Sequence, residues 1–371
     1  MEPIFGTAEE KLAVEAWDKR NTPSGQFMAN AVEALKLFNE GMSGRNPFKK
    51  AALQEALTRS DFNLYLGKAF DVEMLAAYED ITPEWRQIAT PTTVKDFKPK
   101  TFKDLFGGRG AFDKVGEGQE YKERNKDASE YEIKAEKYGN RFALTFELIK
   151  NDELDGLAQL PNDLAQGAVA TEDKVAFSAF VSAGGPNTAF WKSANGNAPA
   201  NVPLTRANLQ AAYVTISKRK DKNGNPVRLA GQRLLLVVPP AQLFEAEQIV
   251  SQPTIPDPEG GAGMVPNPLA GKFQVVVSDW IAAINTSSKV DTTWYILPAP
   301  GGARPALALA KMRGQENPDI RVKADQGNRV GGGSIAPEEG SFEDDTIQYR
   351  GRHIVGGAAV DPAFTYVSVG S

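Results

Sequence analysis

The sequence of 371 residues carries 42 Lys or Arg against 47 Asp or Glu, a net charge of −5, with 41% hydrophobic residues. That is enough chain and apolar content for one elaborate domain or two to three ordinary ones, and the acidic balance supplies no global basic field for holding nucleic acid. The absence of cysteine excludes disulfides, thiolate metal sites and cysteine nucleophiles. The opening MEPIFGTAEEKLAVEAW has no basic start leading into an apolar core, and no apolar run approaches the ~20 residues of a membrane span. The chain is therefore expected to be soluble and intracellular at synthesis.

Residues 1 to about 88 are rich in helix formers, broken at NTPSG (21–25) and GMSGRNP (41–47). Phe27, Ala31, Ala34, Leu35 and Phe38 form one apolar stripe, and Leu53, Ala56 and Leu57 begin another. These short helices read as an arm and not as a compact bundle, with Thr82-Pro83-Glu84 a helix start near its end. Residues 91–140 hold 11 Lys or Arg and 10 Asp or Glu, and the central FGGRGAFDKVGEGQEYKERNKD (106–127) is too glycine-rich and charged for a buried core. Beyond it Tyr131, Ile133 and Ala135 alternate with Glu130, Glu132, Lys134 and Glu136, the pattern of a strand with one solvated face. A long charged hairpin is expected. Its apolar phase is odd here but even at Phe142, Leu144 and Phe146, so a bulge is predicted at Tyr138-Gly139-Asn140.

After Pro161, residues Leu164, Ala168, Val169, Val175, Ala176 and Phe180 follow helical spacing, which predicts a long helix over roughly 161–183 ending at AGGPN. WKSANGNAPANVP (191–203) reads as loop. A helix is expected near 205–220, then a buried strand in RLLLVV (233–238), then a helix after Pro239-Pro240. Nine of the 19 residues from Pro253 to Gly271 are Pro or Gly, which predicts a loop. Strands are expected in FQVVV (273–277), WYIL (294–297), ALALA (306–310), DIRVKA (319–324), TIQYRGRHIV and FTYVSV. Helices first, one long helix in the middle and mostly strands afterwards give a mixed α+β class.

No chemistry-bearing motif is complete. His353 is the sole histidine, which excludes a two-histidine metal site, and its strand-like setting in YRGRHIV points to a structural role. DKNGNPVRLAGQ (221–232) imitates a calcium loop but has Pro226 where glycine is needed and Gln232 in place of the bidentate glutamate. Gly271-Lys272 is followed by Phe273, not by the Ser or Thr of a phosphate loop, and GEGQEY (116–121) lacks the third glycine of a dinucleotide fingerprint. FEDD (342–345) reads as a solvated turn. Trp17, Trp85, Trp191, Trp280 and Trp294 are scattered and read as core or interface anchors. No catalytic, cofactor-binding or metal-binding residue is assigned.

The order of the parts resembles the major capsid proteins of tailed phages, the Hong Kong ninety-seven type fold, closest in style to the branch of Mu-like phages. FNLYLGKAFDVEMLAAYEDITPEWRQIA (62–89) is similar to the end of that family's N-terminal arm. KDFKPKTF (95–102), VGEGQEYKE (115–123) and EIKAEKYGNRFALTFELIKND (132–152) resemble its extended loop and the return to the body. LPNDLAQGAVATEDKVAFSAF (160–180) resembles its spine helix, and NPLAGKFQVVVSD (267–279) an axial-domain strand. WYILPAPGGARPALALAKMRGQENPDI (294–320) and DDTIQYRGRHIVGGAAVDPAFTYVSVG (344–370) match its C-terminal style.

The resemblance implies an N-terminal arm at 1–90, an extended hairpin loop at 91–140, a peripheral domain with the spine helix at 141–203, an axial domain at 204–325 and returning strands at 326–371. It implies a structural, non-enzymatic subunit without cofactor or metal, which assembles with itself into hexamers and pentamers of an icosahedral shell around a genome. Portal, scaffold and head-completion proteins would be further partners. DNA would be touched non-specifically at most, and no membrane is involved. The subunit would end in the virion after assembly in the host cytoplasm. An encapsulin-like nanocompartment shell is the alternative of the same fold, and a carboxylate-based intracellular enzyme the alternative of another class. Some family members join a loop lysine to a neighbour's asparagine; Lys98, Lys100, Lys103, Lys114, Lys122 and Lys126 offer amines, but no matching motif accompanies them and no cross-link is expected.

Overall fold

The computed structural model describes residues 25–42, 46–57, 60–104, 129–145, 155–220, 229, 231–256, 263–302, 304–323, 327–328, 330, 334–335 and 346–370. The chain divides into two compact units, Met1–Ile81 with Lys137–Val169 and Gly314–Ile354, and Thr82–Glu136 with Ala170–Arg313 and Val355–Ser371.

In the first unit the expected stripes fold as helices Gly25–Met42, Pro47–Leu57 and Ser60–Asp80. The GMSGRNP break works as a start signal for the second of them. Asn46 Oδ1 accepts the Phe48 N–H at 3.0 Å and Pro47 opens the first turn, where its missing N–H costs nothing. The three helices are not loosely strung, as their short length suggested. Phe38, Leu53, Leu57, Leu66, Phe70 and Met74 share one core with Leu144, Leu160, Leu164, Ile347 and Tyr349. Each large side chain so buried contributes about 1.5–3 kcal/mol. Asp71 ties the third helix to the strand Asp319–Lys323 by accepting the Ile320 N–H at 3.0 Å. That strand pairs antiparallel with residues 348–352 of the long strand Thr346–Ala359.

Tyr349 at the centre of this core is fully buried, and its hydroxyl has no hydrogen-bond partner among the described residues. Burial pushes its phenol well above the ordinary range. Tyr349→Phe removes an unsatisfied polar group at nearly constant shape, so equal or higher stability is expected, by up to about 1 kcal/mol. Paired denaturant titrations check it, and a clear loss of stability would contradict it.

Three local expectations change. Among the described residues the strand Glu136–Thr145 pairs with Thr346–Ala359 alone, and along it residues 139–143 are all exposed. Phe142 is therefore 38% exposed, not core-facing, and Leu144 alone is buried; Phe146 lies outside the described residues. The break in the ribbon falls at Lys134-Ala135 and not at Tyr138-Gly139-Asn140. Ala135 is fully buried there, and the Lys134 carbonyl lies directly against Gly356. The long helix runs Asp155–Ser178, so Pro161 sits inside it and not at its start. An interior proline costs about 3 kcal/mol, yet Leu160, Leu164, Ala165 and Ala168 are all buried around it. The apolar face overrides the local break.

In the second unit the end of that helix is held by Asn187, whose side-chain amide donates to the carbonyls of Ser178 and Ala179. AGGPN thus stops the helix through its asparagine, after a two-residue hairpin at 181–186. The central sheet has the order Phe273–Val277, Leu234–Val238, Trp294–Pro298, Tyr366–Ser368. Its first pair is parallel and the next two antiparallel. Leu234–Val238 is buried at every position because both sheet faces are covered. Leu235 and Val237 join Phe177, Phe180, Trp191 and Tyr295 on one side, while Leu234, Leu236 and Val238 meet Leu209, Ile216 and Ile249 on the other. The latter come from helices Arg206–Ser217, capped by Thr205, and Leu243–Val250.

A second sheet in this unit pairs Thr90–Val94 parallel with Leu307–Met312, which runs antiparallel to residues 355–359. The Pro/Gly-rich stretch expected to be pure loop contains the antiparallel pair Thr254–Pro256 and Met264–Pro266. The short helix Asp279–Ile284 was not expected, although Ser278 is an ordinary cap and accepts the Trp280 N–H.

Candidate functional site

Among the described residues, those singled out for possible chemistry do not come together. His353 is buried on its strand with its ring 6.0 Å from Tyr78 in edge-to-face contact, a core position. The adjacent Arg352 is bound by both carboxylate oxygens of Asp319, at 2.8 and 3.0 Å. Gly271 and Lys272 form a turn that leads into the strand Phe273–Val277, not into a helix, so no phosphate loop exists there. Most of 221–232 lies outside the described residues, as do GEGQEY, FEDD and Trp17. Trp85, Trp191 and Trp294 are buried anchors, and Trp280 packs partly buried against the core. Among the described residues no group of three or more His, Cys, Asp or Glu is placed to hold a metal ion. Among them, too, no helix is long and apolar enough to cross a membrane.

Two other features stand out. One is a charged ribbon: Lys100–Asp104 pairs antiparallel with Ser129–Ile133 in the register Lys100↔Ile133 to Asp104↔Ser129. The tip that joins these strands, with Lys114, Lys122 and Lys126, lies outside the described residues. At the base the alternation read from sequence is present, since Ile133 and Ala135 are buried while Glu132, Lys134 and Glu136 are exposed. The Lys100 ammonium donates to the Thr93 carbonyl at 3.0 Å. Its pKa is held below the usual lysine range, first by burial and then by the nearby charges of Arg313 and Lys95. The exposed pair Lys134–Glu136, 3.2 Å apart, is solvent-screened and holds little by itself. The ribbon begins at Lys100; Thr90–Val94, counted with it from composition, is a strand of the body sheet.

The other feature is a buried cluster of charge around Trp85. Trp85 sits in the single turn Glu84–Gln87, which is all that Thr82-Pro83-Glu84 starts. Its backbone N–H donates to Asp173 Oδ1 at 2.8 Å and its indole Nε1 to Glu172 Oε2 at 2.7 Å. The other Glu172 oxygen holds Lys311 Nζ at 2.9 Å, and Lys311 also lies 5.9 Å from the Trp85 ring centroid. Glu84 accepts from Ser278 Oγ. Glu172 has no exposed surface. Helical spacing gave no sign of this, because Glu172-Asp173 reads as part of a solvated face; only the spread of apolar residues to both sides of it was visible. The cluster joins a turn, a helix and a strand.

Comparison with known proteins matches this architecture to a family. The family model for phage capsid protein matches residues 129–368, nearly two thirds of the chain, from the second strand of the ribbon to the last strand of the central sheet. No curated protein matches the chain. Among solved structures, it is similar to Gordonia phage Cozz, with 16% identity over 77% of this chain and 85% of the other and a TM-score of 0.43. It is similar to Mycobacterium phage Adephagia, with 16% identity over 81% and 90% and a TM-score of 0.42. A third is described as the capsid of native GTA particle computed with C5 symmetry, with 12% identity over 78% and 90% and a TM-score of 0.48. On the match over residues 129–368, the chain belongs to the phage capsid protein family and is a structural subunit of the virion shell.

Proposed function

We propose that this subunit assembles with copies of itself into hexamers and pentamers that close an icosahedral shell of the Hong Kong ninety-seven type around a phage genome. The family match over residues 129–368 carries this reading. The ribbon supports it from physics. A two-stranded ribbon is marginal alone, and one rich in both signs of charge gains order by lying across a neighbouring subunit. Each such pair contributes ~0–1 kcal/mol, but a closed shell repeats it at every subunit. In this reading residues 1–90 form the arm; the extended loop, expected at 91–140, leaves the body sheet after Thr90–Val94 and has its stem at Lys100–Asp104 and Ser129–Ile133; 141–203 form the peripheral domain built on the long helix, 204–325 the axial domain and 326–371 the returning strands. Portal, scaffold and head-completion proteins are the further partners. Assembly takes place in the host cytoplasm, and the net charge of −5 fits no more than non-specific contact with packaged DNA. The Mu-like branch is supported by the sequence resemblance alone.

Negative-stain electron microscopy with light scattering on the purified chain tests this. Closed shells, or discrete rings of five or six subunits, are expected. Deleting residues 105–128 with a short glycine link across Asp104 and Ser129 should leave a folded subunit that no longer closes shells. A monodisperse monomer or dimer that stays unassembled with crowding agent would overturn the reading.

A further inference from the structure

The Trp85 cluster holds more acid than base. Asp173 is faced by Glu84 from the turn Glu84–Gln87, by Glu172 from its own helix, and by Lys311 from the strand Leu307–Met312 through Glu172. Arg86 lies 5.9 Å from the Trp85 ring centroid. Among the described residues, the buried Glu172 and Asp173 and the half-buried Glu84 meet Lys311 around Trp85, and Asp173 itself is only 5% exposed. Two of the three, Glu172 and Asp173, are bound to the same residue, Trp85, through different nitrogens.

We propose that this cluster is a proton-operated clamp, in which uptake of one proton by Asp173 relieves the surplus negative charge and tightens the hold of the long helix on residues 84–87. The Asp173 carboxyl is raised from 3.8 to about 6, chiefly by burial, with Glu84 and Glu172 adding to the rise and the N–H groups of Trp85 and Glu84 opposing it. A carboxyl raised in the folded state binds its proton more tightly folded than unfolded. The clamp therefore gains strength as pH falls through about 6, and has its full gain only below 3.8. At neutral pH it is held against the desolvation of a charged Asp173.

The position of the clamp gives this a use. The clamped residues 84–85, 172–173 and 311 each lie within four residues of a place where the chain passes from one compact unit to the other, at 81/82, 169/170 and 313/314. Every group in it belongs to one unit, and the inference does not depend on the shell reading. Acid thus stiffens three connecting stretches with one proton.

Hydrogen exchange of the full-length chain, read on peptides covering residues 82–89 and corrected for intrinsic exchange at each pH, measures the clamp directly. Protection is expected to rise about tenfold between about pH 7.5 and about pH 5. Asp173→Asn should abolish the rise. Glu84→Gln removes one repelling charge and should move the midpoint to lower pH, which a merely structural contact would not do. Flat protection in the wild type, or a rise retained in Asp173→Asn, overturns the clamp. If Asp173→Asn does not fold, an unmoved midpoint in Glu84→Gln overturns it alone.

Discussion

Lys311→Met is expected to lower the unfolding free energy of the full-length chain by about 3–5 kcal/mol, as measured by denaturant titration at neutral pH. Glu172 is wholly buried and Lys311 Nζ stands 2.9 Å from its Oε1, so the substitution takes the cation from a carboxylate that water cannot reach. The indole N–H of Trp85 still binds the other oxygen, but a neutral donor does not replace the charge of a lysine. Adding Glu172→Gln should recover more than half of the loss, since the double variant leaves a neutral, hydrogen-bonded site. If Lys311→Met costs no more than an exposed pair, under about 1 kcal/mol, the buried cluster does not support the fold as described.

Gly356→Ala should cost about 3 kcal/mol, at the upper end of what overpacking does. A Cβ at 356 would overlap the carbonyl oxygen of Lys134, and the obstacle is backbone, which cannot rotate away. The next residue, Gly357, meets the carbonyl of Val175 on the long helix in the same manner. This part of the strand is thus squeezed between two main-chain segments, and the ribbon's return at Lys134-Ala135 is seated by it. Gly167→Ala is the control. Nothing lies within 4 Å of a Cβ built there, and the position is an exposed helix interior, so the same substitution should stabilise by about 0.5–1 kcal/mol. Equal effects at the two sites would mean that chain entropy, not contact, governs both.

Much of this molecule is readable from composition and period. Leu234–Val238 is a run of five apolar residues followed by two prolines, and it is a wholly buried strand. Ala31, Ala34 and Phe38 keep helical spacing and are buried. Ile133 and Ala135 alternate with charges and face inward. The mixed α+β class and the capsid family were both legible, the second through the order of its parts. What failed to read did so for one reason. Phe142 looks like Leu144 in sequence but is exposed, on a strand that pairs with Thr346–Ala359. Pro161 looks like a boundary but lies in a helix whose apolar face outweighs one lost hydrogen bond. Glu172 and Asp173 look solvated until residues 84 and 85 arrive from almost ninety positions away.

The sequence by itself determined most of the segments that are helix or strand, where charge concentrates, and that no catalytic motif is complete. Each of those is a property of neighbours along the chain, set by side-chain period and backbone preference. The tertiary structure alone decided that Thr90–Val94 pairs with Leu307–Met312, that Leu234–Val238 lies between a parallel and an antiparallel neighbour, and that three carboxyl groups and one lysine close around Trp85. Those depend on strand register and on the desolvation of groups far apart in sequence, and a local pattern carries no information about which distant segment will exclude the water.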